Sequence, residues 1–172
     1  MRVRYSIIVA LGLAFALANS TPAPAATFGY IATLLGTNEV GPNASPATGQ
    51  AFLVWDDVAH TLSTSGTFSG LTAPLTAGHI HGPGGPGVNA GVIHGFPALP
   101  TPGGLPLGAT AGSWSDVWLG LSPVQEGYLT SGLLYVNLHT QNFPGGEIRG
   151  QVRPDATPSH AVSWGRIKAL YR

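Results

Sequence analysis

Leu133-Leu134-Tyr135-Val136-Asn137-Leu138-His139, the turn Asn142-Phe143-Pro144-Gly145-Gly146, and Glu147-Ile148-Arg149-Gly150-Gln151-Val152-Arg153 are the stretch that decides the fold. Two runs rich in strand formers flank a turn of Asn, Pro and Gly, which reads as a β-hairpin. Side chains alternate across a strand, so Ile148 and Val152 share one face of the second run, and Glu147, Arg149, Gln151 and Arg153 share the other.

The same grammar runs outward through the chain. Phe28–Leu35, Thr48–Trp55, Thr61–Phe68, Thr76–His81, Val92–Phe96 and Ser113–Leu119 read as further short strands. Loops or turns at Gly36–Ser45, Asp56-Asp57 and Pro97–Gly108 punctuate them. In Thr48–Trp55 apolar residues fall on both faces, which predicts burial on both sides. In Thr61–Phe68 the positions Leu62, Thr64, Gly66 and Phe68 face one way and hydroxyl residues the other, which predicts a half-solvated antiparallel strand. Trp114 and Trp118 share a face. Ser122-Pro123-Val124-Gln125 carries a capping-box signature with Pro at the first helical position, and Gly132 ends that short helix. The fold class is all-β: an antiparallel, Greek-key-like sandwich or barrel of about seven to eight strands with one short helical turn.

The 172 residues suit one domain. Residues 1–26 read as a secretory signal peptide: a basic start at Arg2 and Arg4, an apolar run from Ser6 to Ala18, and the cleavage pattern Ala23-Pro24-Ala25. Residues 27–155 form the β domain, and 156–172 a flexible basic tail. The expected location is therefore secreted or periplasmic, with no membrane span in the mature chain. There is no cysteine, which excludes disulfides and thiolate chemistry. The overall charge of zero hides an asymmetry. Between residues 27 and 155 only Arg149 and Arg153 oppose seven acids, a net of −5 with histidines neutral. Such a body does not grip nucleic acid.

The chemistry-bearing residues are histidines. In Ala77-Gly78-His79-Ile80-His81-Gly82 the strand period puts His79 and His81 on one face, where two imidazoles can chelate one ion. His94 follows in Gly91-Val92-Ile93-His94-Gly95, and His139 closes its own strand. An all-imidazole set favours Cu(II) among the divalent ions. Asn137, Glu147 and Asp116 are candidate partners for the outer ring nitrogens. Arg149 on a strand face reads by default as a solvated charge or a partner of Glu147. Its isolation in an acidic body suggests a role of its own. His60 reads as a surface residue, and His160, in the tail, does not read as a ligand.

Taken together, Ala77–Pro83, Leu134-Tyr135-Val136-Asn137-Leu138-His139-Thr140 and Pro144-Gly145-Gly146-Glu147-Ile148-Arg149-Gly150-Gln151 resemble the chordin-type (CHRD) domain family. Gly36-Thr37-Asn38-Glu39-Val40 and Gly70-Leu71 fit as well, so the resemblance covers Phe28 to Arg153. It implies an extracellular, all-β domain. The order of histidines is also similar to that of the copper ligands in copper/zinc superoxide dismutases. That resemblance implies His79 and His81 as the H-x-H pair, His94 and His139 as the third and fourth ligands, and Arg149 as the catalytic anion-guiding residue. It departs where a zinc subsite needs further ligands after His94, so a copper-only site is expected. Three functions stay open on these grounds: superoxide dismutation (superoxide or another small anion as substrate), copper binding without turnover, and a non-catalytic extracellular interaction or structural module.

Overall fold

The computed structural model describes residues 26–155. Residues 1–25 of the expected signal peptide and the whole of the expected basic tail lie outside the described residues. Nine strands form one antiparallel sheet: β1 (Thr27–Leu35), β2 (Thr48–Asp56), β3 (Thr61–Ser69), β4 (Leu75–His81), β5 (Val92–Gly95), β6 (Gly112–Leu119), β7 (Tyr135–Thr140), β8 (Ile148–Gln151) and β9 (Arg153–Pro154). The helix α1 (Pro123–Thr130) precedes β7 and carries the expected capping box between Ser122 and Gln125. A 3-10 turn, Gly36–Asn38, follows β1.

The sheet runs β5-β4-β7-β8-β1-β2-β3-β6, with β9 also against β1, and curls into a nearly closed barrel. Its two end strands, β5 and β6, meet without a main-chain ladder. The His94 ring, 2.5 Å from Asp116 Oδ2 and stacked on Trp118, spans this seam. Below it, Ser115 N donates to Gly103 O and Ala98 bridges Leu105.

The inner face is apolar, as alternation demands. Tyr30, Ala32 and Leu34 of β1 meet Ala51 and Leu53 of β2, Leu62 and Phe68 of β3, and Trp114 and Trp118 of β6. Ile80, Val136, Leu138 and Ile148 close the core on the other side. Gly66 faces Trp114 across β3 and β6, and a Cβ there would lie 2.2 Å from the indole. That position has to be glycine for the tryptophan to lie flat in the core. The expectation that β2 is buried on both faces is corrected. Phe52 and Val54 are 48% and 46% exposed, because the sheet curls on itself and no second layer of described residues covers its outside.

Candidate metal centre

The hairpin registers decide what stands beside the H-x-H pair. On the outer face, His79 pairs with Asn137, His81 with Tyr135, and Ala77 with His139. Beyond β7, Asn137 pairs with Arg149 and Tyr135 with Gln151. Directly opposite residues share a face. One outer patch therefore carries His79, His81, His139, Asn137, Tyr135 and Arg149. The small residues Ala77 and Gly95 oppose His139 and His79. They leave room for the two rings to lean together until His79 Nδ1 lies 3.0 Å from His139 Nε2.

His79, His81 and His139 each offer one ring nitrogen, and these atoms lie within 4.8 Å of one another. Outer partners set the tautomers. His81 Nδ1 is 3.0 Å from Ala90 O, and His139 Nδ1 is 3.0 Å from Pro144 O. A carbonyl can only accept, so both Nδ1 atoms carry the proton and both Nε2 atoms present a lone pair. His81 Nε2 is buried and has no hydrogen-bond partner. A buried acceptor without a donor is costly, and a metal ion in this place would remove the deficit. Burial lowers the pKa of all three imidazoles; neighbouring rings add to the effect at His79 and His139, and the Arg149 cation adds to it at His81, while His139 falls to about 4. The trio is neutral at physiological pH, the form in which imidazole binds metal.

His94 does not join them. It pairs with Ile80 and so faces inward, through the opposite side of the sheet from the trio. There it takes Asp116 as its partner. The alternation within His79-Ile80-His81 excludes it: any residue opposite Ile80 points away from the H-x-H pair. Nor does Glu147 serve a histidine. It is fully buried, and its carboxylate accepts from Ser45 Oγ, Thr72 N and Thr140 Oγ1. His60 is a surface residue as expected, bonded to Glu126.

Arg149 is buried, 1% exposed, not a solvated charge and not paired with Glu147. Its Nη2 donates to Gly85 O (3.2 Å) and Val88 O (2.8 Å), and its Nη1 donates to Asn89 Oδ1 (3.3 Å). The guanidinium carbon sits 3.4 Å from the Tyr135 ring centroid. His81 stacks on Tyr135 at 4.8 Å and 3°. Both groups cannot fit on one face of the phenol ring, so Tyr135 is sandwiched between His81 and Arg149.

Sequence reasoning missed Glu39. It lies in the loop after the 3-10 turn, is 8% exposed, and its Oε1 has no hydrogen-bond partner, as Asn137 Oδ1 has none. Burial raises its carboxyl to about 7, against the lowering influence of Arg149 and the Asn137 side chain. Gly146, at φ 133°, lets the two side chains crowd in: a Cβ there would lie 2.5 Å from Asn137 Oδ1 and 2.6 Å from Glu39 Oε1. The only sequence signal was that Gly36–Val40 belongs to the resemblance, which marks a position but not its burial.

The model of the CHRD domain family matches residues 30–152. No curated protein and no solved structure matches the chain.

Proposed function

The chain belongs to the CHRD domain family, whose members are generally extracellular, and within this β domain we propose that His79, His81 and His139 form a mononuclear copper centre. The observation that carries the reading is the buried, unpartnered Nε2 of His81, held as an acceptor by its Nδ1–H bond to Ala90 and set among two further neutral imidazoles. Three nitrogen donors without a thiolate bind Cu(II) more tightly than the other common divalent ions. Three protein ligands leave a coordination position free for a small molecule.

A copper ion there supplies one-electron exchange, and the reaction that suits it best is superoxide dismutation, in which two superoxide ions and two protons give dioxygen and hydrogen peroxide. Copper held without turnover is the second reading. Arg149 favours it, because its donors go to loop acceptors and its cation lies behind Tyr135. The acidic body also repels an anionic substrate. Export through an N-terminal signal peptide, ahead of a domain spanning 27–155, completes the proposal.

The test is copper and zinc loading of the untagged domain. One copper per chain, retained over zinc and lost in both His81→Ala and His139→Ala while the far-ultraviolet circular dichroism is unchanged, is the expected result. Undiminished copper in either variant overturns the site. Superoxide decay with a small excess of EDTA, which silences free copper, then separates turnover from mere binding.

A further inference from the structure

We infer that Arg149 is a positioning residue for the metal centre: it clamps the 82–91 loop so that the Ala90 carbonyl holds His81 as one tautomer, with Nε2 turned toward the other two histidines. The inference rests on the copper reading for its purpose, though the clamp itself is a property of the chain.

The loop runs Gly82-Pro83-Gly84-Gly85-Pro86-Gly87-Val88-Asn89-Ala90-Gly91, with five glycines and no regular structure after the end of β4. Val88 is 53% exposed and contributes little to a core. Such a segment has high conformational entropy in its free state and few apolar contacts to offset the ordering. Main-chain bonds from Gly82 N to Gly91 O, Gly84 N to Leu133 O and Val88 N to Gly85 O hold part of it, and polar side chains on the sheet beneath hold the rest. Gln151 Nε2 reaches Gly84 O at 2.9 Å, and Arg149 takes Gly85 O, Val88 O and Asn89 Oδ1. Tyr135 OH accepts from Ala90 N at 3.0 Å and also lies 3.2 Å from Ala90 O. The next link is the one that matters: Ala90 O accepts from His81 Nδ1. Five loop residues are thus tied to three adjacent outer-face positions of β7 and β8, and the last tie sets the protonation of a ligand ring.

Arginine suits this task for a geometric reason. Its planar fork serves three acceptors at once, whereas lysine offers one nitrogen. The charge is compensated by the carbonyl dipoles and by the face of Tyr135. The same ring presses on His81 from its other side, so Arg149 acts on His81 twice: through the loop carbonyl and through the stack. An arginine for guiding an anion needs free donors directed at the metal, and here they are directed at the loop.

The experiment compares the wild-type chain with Arg149→Met and Arg149→Lys, both without metal and with copper. In the metal-free protein at pH 7.5, long-range proton–nitrogen spectra report which His81 nitrogen carries the proton, and amide exchange reports the order of Ala90. The wild type is expected to show a single Nδ1–H tautomer. Arg149→Met is expected to show a mixture and Ala90 exchange faster by roughly ten- to a hundredfold, as the loss of buried hydrogen bonds implies. Arg149→Lys keeps the cation over Tyr135, and so keeps a folded protein should the Met variant fail, but does not restore the tautomer. With copper, both variants shift the electron paramagnetic resonance spectrum. A single Nδ1–H tautomer and unchanged Ala90 exchange in a folded Arg149 variant overturn the inference. A loosened loop and mixed tautomer in Arg149→Met, beside a wild type that takes no copper, leave the clamp standing and remove the copper reading; copper uptake by the wild type with an unmoved tautomer in the variants does the reverse.

Discussion

Glu39→Gln tests the electrostatics of the outer patch most directly. The carboxyl is 8% exposed, and burial outweighs the nearby Arg149 cation and the Asn137 side chain to raise its pKa from 4.5 to about 7. The folded protein therefore keeps this proton to higher pH than the unfolded chain does. Between pH 4.5 and about 7 the folded state binds more protons, so stability falls as pH rises, and above about 7 the full cost of the buried charge is present. A gap of about 2.5 pH units at 1.36 kcal/mol per unit amounts to about 3 kcal/mol. Glutamine keeps the shape, removes the charge, and brings an N–H₂ that can donate to the unpartnered Asn137 Oδ1. The three clustered histidines act with the opposite sign. Their lowered pKa values mean that folding resists their protonation, so stability drops below about pH 6.5. That loss is common to both proteins and cancels in the difference. In urea denaturation with a chelator present, the variant should match the wild type at pH 4 and exceed it by up to about 3 kcal/mol at pH 8.5. A difference independent of pH, or a variant less stable at pH 8.5, would refute the reasoning.

His94→Ala should destabilise the domain by about 1–3 kcal/mol, since it leaves Asp116 without its partner at the β5–β6 seam and removes the ring stacked on Trp118; copper stoichiometry should not change, and a loss of copper in a folded variant would return His94 to the site. For Glu147, burial pushes the pKa up, but hydrogen bonds from Ser45, Thr140 and Thr72 outweigh it and hold the carboxyl below its usual range. Its contribution is present above pH 4.5 and lost as pH falls through the folded value. Glu147→Gln should cost about 1–3 kcal/mol at pH 7, because the amide cannot accept from all three donors, and should flatten the stability loss at acid pH; denaturation midpoints at pH 7 and 3.5 check both.

The elements themselves were legible because alternation is local. The hairpin around Pro144-Gly145-Gly146, the half-solvated β3 and the capped α1 each follow from residues close in the chain. So does the pairing of His79 with His81 on one face, since the period of two needs no tertiary information. The sequence by itself thus determined an antiparallel β domain bearing an H-x-H pair, and His139 joined that pair because β4 lies against β7. What tertiary structure alone decided was facing and burial across strands. His94 stood in the sequence as a further candidate ligand, but pairing with Ile80 sends it to the inner face and turns it into a closure of the seam. Arg149 looked like a surface charge, and a glycine-rich loop folded over it makes it a buried anchor. Glu39 carried no signal of its own; its burial against Asn137 follows from a loop returning over a sheet more than ninety residues further along the chain. The physical reason is common to all three. Register and loop packing join residues distant in sequence, and a side chain's charge state and partners are properties of that junction, not of its neighbours in the chain.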